Sequence, residues 1–79
     1  MKAYCIEQLK GNKYVTIKWS KDEYVANNYC EKLQDKEVKE WMEDFGVEIS
    51  RMHAEEQEQT EQQIRDMYRV SERDIQVKQ

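Results

Sequence analysis

Ala3-Tyr4-Cys5-Ile6-Glu7-Gln8-Leu9 and Tyr14-Val15-Thr16-Ile17-Lys18-Trp19 flank Lys10-Gly11-Asn12-Lys13, and the reading of this stretch decides the fold class. Both flanks are rich in β-branched and aromatic residues, which suit a pleated, half-buried surface. A Gly-Asn pair between two such runs marks a β-hairpin. Val15, Ile17 and Trp19 alternate with Tyr14, Thr16 and Lys18, the period of a strand with one buried face.

Just past the second run, Ser20-Lys21-Asp22-Glu23 has the form of a capping box. The Ser20 hydroxyl would accept from the Glu23 amide while the Glu23 carboxylate reaches back to the Ser20 amide. Asp22 and Glu23 also suit the positive end of a helix dipole. A helix is therefore predicted from Lys21. Val25, Ala26, Tyr29, Cys30 and Leu33 form its apolar stripe, and Val38, Trp41, Met42 and Phe45 form a second one. The centres of the two stripes differ by roughly 140°. The reading favours a break near Gln34-Asp35-Lys36, with Asp35 as the N-cap of a second short helix; one long helix contacted on two sides is the alternative. Gly46 is the expected C′ residue.

Val47 and Ile49 alternate with polar residues, so 47–52 reads as a short third strand, the alternative being the approach to a last helix. Residues 54–76 lack Gly and Pro and are rich in Glu, Gln and Arg, all good helix formers. Ile64, Met67, Tyr68 and Ile75 would share one face of that helix, a narrow stripe that either packs back on the hairpin sheet as ordinary core or meets a partner or a second copy of the chain. Between Glu55 and Gln63 there is no apolar residue. That part is either a solvated helix or a segment that orders on binding. The fold class is thus α+β: a hairpin, with or without a short third strand, packed on a helical region. Residues 1–79 form one small domain, from which 54–79 extends as a polar C-terminal helix. Val15, Ile17 and Trp19, with Ile6 or Cys5 opposite, are expected to pack on Val25, Tyr29 and Leu33.

Composition narrows the function classes. The chain has 79 residues, of which 38% are hydrophobic and 38% charged, with Leu9 and Leu33 its only leucines. A core this small usually needs a staple. Cys5 and Cys30 follow no apolar leader, so the expectation is a cytoplasmic protein with reduced thiols, stapled by homodimerisation instead. No run approaches the ~20 apolar residues of a membrane span.

The formal charge of −4 is unevenly spread. Residues 1–39 sum to +2 and residues 64–79 to +1, whereas 40–63 carry Glu40, Glu43, Asp44, Glu48, Glu55, Glu56, Glu58 and Glu61 against Arg51 alone, giving −7. Such a field attracts basic surfaces and repels nucleic acid. These eight acids are either a solvated, solubilising face or a partner-binding face, and they are the candidate partner-binding residues.

Catalytic equipment is not evident. His53, Cys5 and Cys30 lack the spacing of a metal site, and neither cysteine has a visible base, orienting group and oxyanion hole. A chain this short is also not expected to enclose a pocket of several hundred Å³. Gly11 and Gly46 are the only glycines, which excludes phosphate-cradling and dinucleotide fingerprints, so no cofactor is expected.

The leading expectation is a non-enzymatic inhibitor or adaptor that docks its acidic face on a basic protein surface, such as that of a nucleic-acid enzyme, with Trp41 or Tyr68 as apolar anchor. In profile the chain resembles the small accessory proteins with which phages and other mobile elements block host defence, anti-CRISPR proteins among them. The resemblance is one of size, acidity and lack of proline, and it lends no site residues. A second reading is a regulator of the antitoxin or transcription-cofactor type, binding nucleic acid through Lys10, Lys13, Lys18 and Lys21 of the hairpin. A Cys/His enzyme is the remote third.

Overall fold

The computed structural model describes residues 1–75. The hairpin is present. Strands β1 (Lys2–Lys10) and β2 (Lys13–Ser20) pair antiparallel around a turn in which Gly11 takes φ +65°, a conformation that residues with a Cβ adopt at a cost. Helix α1 (Glu23–Asp44) follows, then α2 (Gly46–Ser50) and α3 (Ala54–Arg65), and the chain returns as β3 (Tyr68–Asp74). The sheet order is β2-β1-β3, all antiparallel, and β1 is the central strand. The architecture is α+β.

Alternation along β1 divides the sheet into two faces. Ile6 joins Ala26 and Cys30 of α1 and Tyr68 of β3 in the buried core, with Tyr4, Tyr29, Leu33, Met67 and Val70 packed around it. Ala3, Cys5 and Glu7 point the other way, away from α1. They are buried all the same, at 1%, 8% and 3% exposure, under side chains of the flanking strands. The expected packing of Val15, Ile17 and Trp19 on the helix does not occur. All three are exposed, as is Val25. Two features explain this: β2 is an edge strand, with α1 packed chiefly on β1 and β3, and Trp19, opposite Cys5, lies on the face away from α1. A register shift between Ile6 and Glu7 also leaves Ile17 without a partner on β1.

Helix α1 departs from the sequence reading at both ends and in its middle. Asp22, not Ser20, is the N-cap: its Oδ1 accepts from the amides of Tyr24 (2.8 Å) and Val25 (3.3 Å). Ser20 Oγ accepts from the Asp22 amide at 3.1 Å, one step earlier. No break occurs at Asp35, which lies within a continuous 22-residue helix and pairs with Arg65 at 2.9 Å. The two apolar stripes are met by two different neighbours, so nothing forces a kink. The first faces the sheet through Ala26, Tyr29, Cys30 and Leu33, while the second, with Val38 buried and Trp41 half-buried, falls on the part of the helix where α2 and α3 follow. Gly46 is not a left-handed C′ residue either. Phe45 caps α1 and Gly46 opens α2 with negative φ.

The largest correction concerns the third strand. Residues 47–52 are not extended. Most belong to α2, and Gln57 Nε2 fixes the following turn by donating to the carbonyls of Ile49 (2.8 Å) and Met52 (3.1 Å). The free edge of β1 is taken instead by β3, and the polar C-terminal helix ends at Arg65. Residues 68–71 (Tyr-Arg-Val-Ser) carry a period of two: Tyr68 and Val70 face the core while Arg69 lies over Glu7. The remainder of the expected helix, residues 76–79, lies outside the described residues.

The molecule is elongated, 59 × 24 × 19 Å. Its radius of gyration is 15.6 Å, against about 12 Å for a rounded domain of this length. Helix α1 starts beside the end of β2, crosses the sheet, and reaches Tyr68 at Glu37. At ~1.5 Å per residue it then has another two turns to run. Those two turns, with α2 and α3 folded back beside them, make an arm beyond the hairpin end of the sheet. Gln34 fastens the arm at its base, donating to the carbonyls of Arg65 (2.8 Å) and Tyr68 (3.1 Å).

Candidate functional site

The acidic residues singled out in the sequence all lie on this arm. Glu40, Glu43 and Asp44 stand on the last turns of α1, Glu48 on α2, and Glu55, Glu56, Glu58 and Glu61 on α3. Seven are exposed and Glu61 is half-buried. Three have a basic neighbour one turn away: Glu40 with Lys36 (4.0 Å), Glu43 with Lys39 (3.9 Å) and Glu61 with Arg65 (3.6 Å). Exposed pairs of this kind contribute only a few tenths of a kcal/mol. Among the described residues, Asp44, Glu48, Glu55, Glu56 and Glu58 have no ion-pair partner within 4.0 Å. The arm thus carries eight of the seventeen acidic residues against Arg51 alone within residues 40–63, and most of them point into solvent.

Packing explains why this sequence stays on the arm. Helix α3 has no buried residue, and among the described residues its first turn is tied back only to the preceding turn, through Gln57. Its last turn is held through Arg65, whose guanidinium donates to Asp35 Oδ1 at 2.9 Å. The hydrogen bond from Arg65 to Asp35, together with the Asp35 and Glu61 charges, holds the guanidinium even more firmly protonated than usual.

The proposed stripe of Ile64, Met67, Tyr68 and Ile75 does not exist as one helical face. Ile64 is in the last turn of α3, Met67 in the turn that follows, Tyr68 at the start of β3, and Ile75 just past its end. Tyr68, taken as an exposed anchor, is 6% exposed and part of the core. Its hydroxyl accepts from Gln8 Nε2 (3.3 Å) and donates to Glu37 Oε1 (3.2 Å). Burial, and then the neighbouring Glu37 carboxylate, push its acidity down, so its pKa is raised. Trp41 is half-buried on the arm.

Residues with chemical potential are dispersed. Cys5 and Cys30 are both free and buried, Cys5 on the uncovered side of the sheet and Cys30 on the sheet-facing side of α1. Burial raises the pKa of the Cys30 thiol, which keeps it protonated. His53 precedes α3 on the arm. Among the described residues, no three His, Cys, Asp or Glu side chains come together to hold a metal ion. An open groove of about 590 Å³, not an enclosed pocket, lies between α1 and the start of β3. Asn27, Glu31, Gln34, Arg65 and Tyr68 are among its walls. Among the described residues, no helix is long and apolar enough to cross a membrane.

The uncovered face of the sheet holds a cluster that sequence reasoning missed. Glu7, 3% exposed, accepts from Arg69 Nε (2.8 Å) and Arg73 Nη2 (3.2 Å) on β3. The Arg69 guanidinium also lies 3.7 Å from the centre of the Tyr14 ring. Burial pushes the Glu7 carboxyl up, but the hydrogen bond and charge of Arg69 and the charge of Arg73 outweigh it and leave the pKa below its usual value. The i, i+4 spacing of Arg69 and Arg73 reads equally as a helix face, which hid their common strand face. The hairpin lysines Lys10, Lys13, Lys18 and Lys21 are exposed, and Lys18 lies 4.5 Å from the Tyr29 ring centre.

Comparison with protein-family models, with curated proteins and with solved structures finds no match to this chain.

Proposed function

We propose that this chain is a non-enzymatic binding protein, an inhibitor or adaptor that presents its acidic arm to a basic surface of another protein. One observation carries the reading: the −7 segment, residues 40–63, lies on a projecting arm rather than around the core. Charges displaced from the body of a protein act on a partner with little internal compensation, steer its approach and select against acidic competitors. A groove that normally holds nucleic acid is the kind of basic surface such an arm fits, and the profile of a phage-type anti-defence protein agrees with that use. The buried, separated thiols and the distant His53 favour binding over catalysis.

The test is charge reversal at Glu40, Glu43, Glu55 and Glu58, all exposed, in a tagged protein used for affinity capture. Partner recovery should be lost, and recovery by the wild type should weaken as salt rises. Undiminished capture by the reversed variant would reject the acidic-arm reading. The exposed hairpin lysines favour a second reading, nucleic-acid binding. It predicts recovered DNA or RNA whose binding falls steeply with salt and is lost on replacing Lys10, Lys13, Lys18 and Lys21.

A further inference from the structure

The acidic arm carries large apolar side chains that its own packing does not cover. Val38, Trp41, Met42 and Phe45 follow the i, i+3, i+4, i+7 spacing of one helical face. The face is buried at its base, where Val38 is 5% exposed, and opens towards the tip, where Met42 and Phe45 are 50% and 52% exposed. Val47, just past the corner into α2, is 65% exposed. Three exposed apolar residues thus lie within six positions, interleaved with Glu43, Asp44 and Glu48. Between Lys39 and Arg51 there is no basic residue. Exposed apolar residues grouped this closely in the chain, with acids between and beside them, point to an interaction site.

These acids select the occupant. A second copy of the chain would bring another −7 arm against the first, and like charges oppose that contact. A membrane surface with anionic headgroups is disfavoured for the same reason. The complementary surface is an apolar ridge flanked by Lys and Arg. We infer that the Met42/Phe45/Val47 tip is the anchor of the arm and takes a basic amphipathic helix, or an equivalent ridge, of a partner protein. Acidic residues then set orientation and rate of encounter, while the apolar tip holds the complex. This inference rests on the acidic-arm reading but can fail without it.

The experiment uses the full chain with Trp19→Phe, which leaves Trp41 as the only tryptophan, beside the tip. The probes are a helical peptide of leucine and lysine and an oligolysine of equal charge. The leucine–lysine peptide should bind and shift Trp41 emission to the blue. Oligolysine should bind more weakly and leave the emission unmoved. The variant Met42→Ser/Phe45→Ser/Val47→Ser should bind the leucine–lysine peptide about tenfold more weakly. These positions are exposed, and an unchanged circular dichroism spectrum verifies the fold of the variant. Equal binding of the two peptides, with no effect of the serine variant, would overturn the apolar anchor and leave the acidic arm standing. If neither peptide binds, both readings fail. A dimer in sedimentation that the serine variant abolishes would give the tip to a second copy and overturn the proposal.

Discussion

The sheet end and the arm of this molecule are built on opposite terms. At the sheet end, Ile6, Ala26, Cys30 and Tyr68 are nearly or fully buried, and β1 is paired along both edges. On the arm, Val38 is the one buried side chain among residues 38–65, and α2 and α3 contribute none. The sheet end gathers apolar surface from residues up to about 60 positions apart, whereas the arm spends its sequence on exposed Glu and Gln. Stability therefore resides in the first region, and the second is free to carry charge and apolar side chains that a core would exclude. A chain with so few large aliphatic residues has core enough for only one end.

Mutations should divide along the same line. Ile6→Ala removes the largest fully buried side chain and should lower unfolding free energy by about 2–5 kcal/mol in urea titration. Phe45→Ala on the arm should change it by less than ~0.5 kcal/mol. Similar losses at the two positions would break the division between a stability end and a display arm.

Glu7 sharpens the comparison, because it is a carboxylate at the stable end. Its folded pKa lies below the usual 4.5. The group therefore contributes stability above the unfolded value, and that contribution is lost as pH falls through the folded one. Wild-type stability should decline on acidification below the ordinary glutamate range, and Glu7→Gln should decline less over that window. Removing both arginines, Arg69→Ala/Arg73→Ala, leaves the buried carboxylate without these partners and should cost about 2 kcal/mol at neutral pH.

A smaller effect than at the core or at Glu7 is expected at the joint. Gln34→Ala deletes the two hydrogen bonds that fasten α1 to the Arg65 and Tyr68 carbonyls. The expected loss is about 1 kcal/mol, with faster amide exchange in α3 than in β1. Uniform exchange across both would mean that arm and sheet open as one unit.

Much of this was legible in residues close in sequence. The hairpin follows from two β-rich runs and a Gly-Asn turn. The start of α1 was readable to within two residues, because both Ser20 and Asp22 offer a capping oxygen and only the local backbone selects between them. The concentration of acid in 40–63 is a property of the sequence itself, as is the polarity of 55–63. The continuity of α1 was legible only as the less favoured alternative. Stripes pointing in different directions suggest a break unless two separate neighbours are known to be there.

What the tertiary structure alone decided is which segment completes the sheet. A two-stranded hairpin is barely stable in isolation, so β1 needed a third strand from somewhere. Val47 and Ile49 offered one candidate and Tyr68 and Val70 another, each with a short alternation of period two. Local preference favours helix over much of the tail, because Glu, Gln and Arg form helices well. Pairing with β1, and burial of Tyr68 and Val70 against Ile6 and α1, override that preference from Tyr68 onward. That choice also places Arg69 and Arg73 over Glu7, moves Tyr68 from the surface to the core, and turns α3 back to form the arm. Composition and spacing settled which residues make a hairpin and where the negative charge lies. Only long-range packing, in which distant segments compete for the same strand edge, settled which apolar residues are core and which remain exposed at the tip.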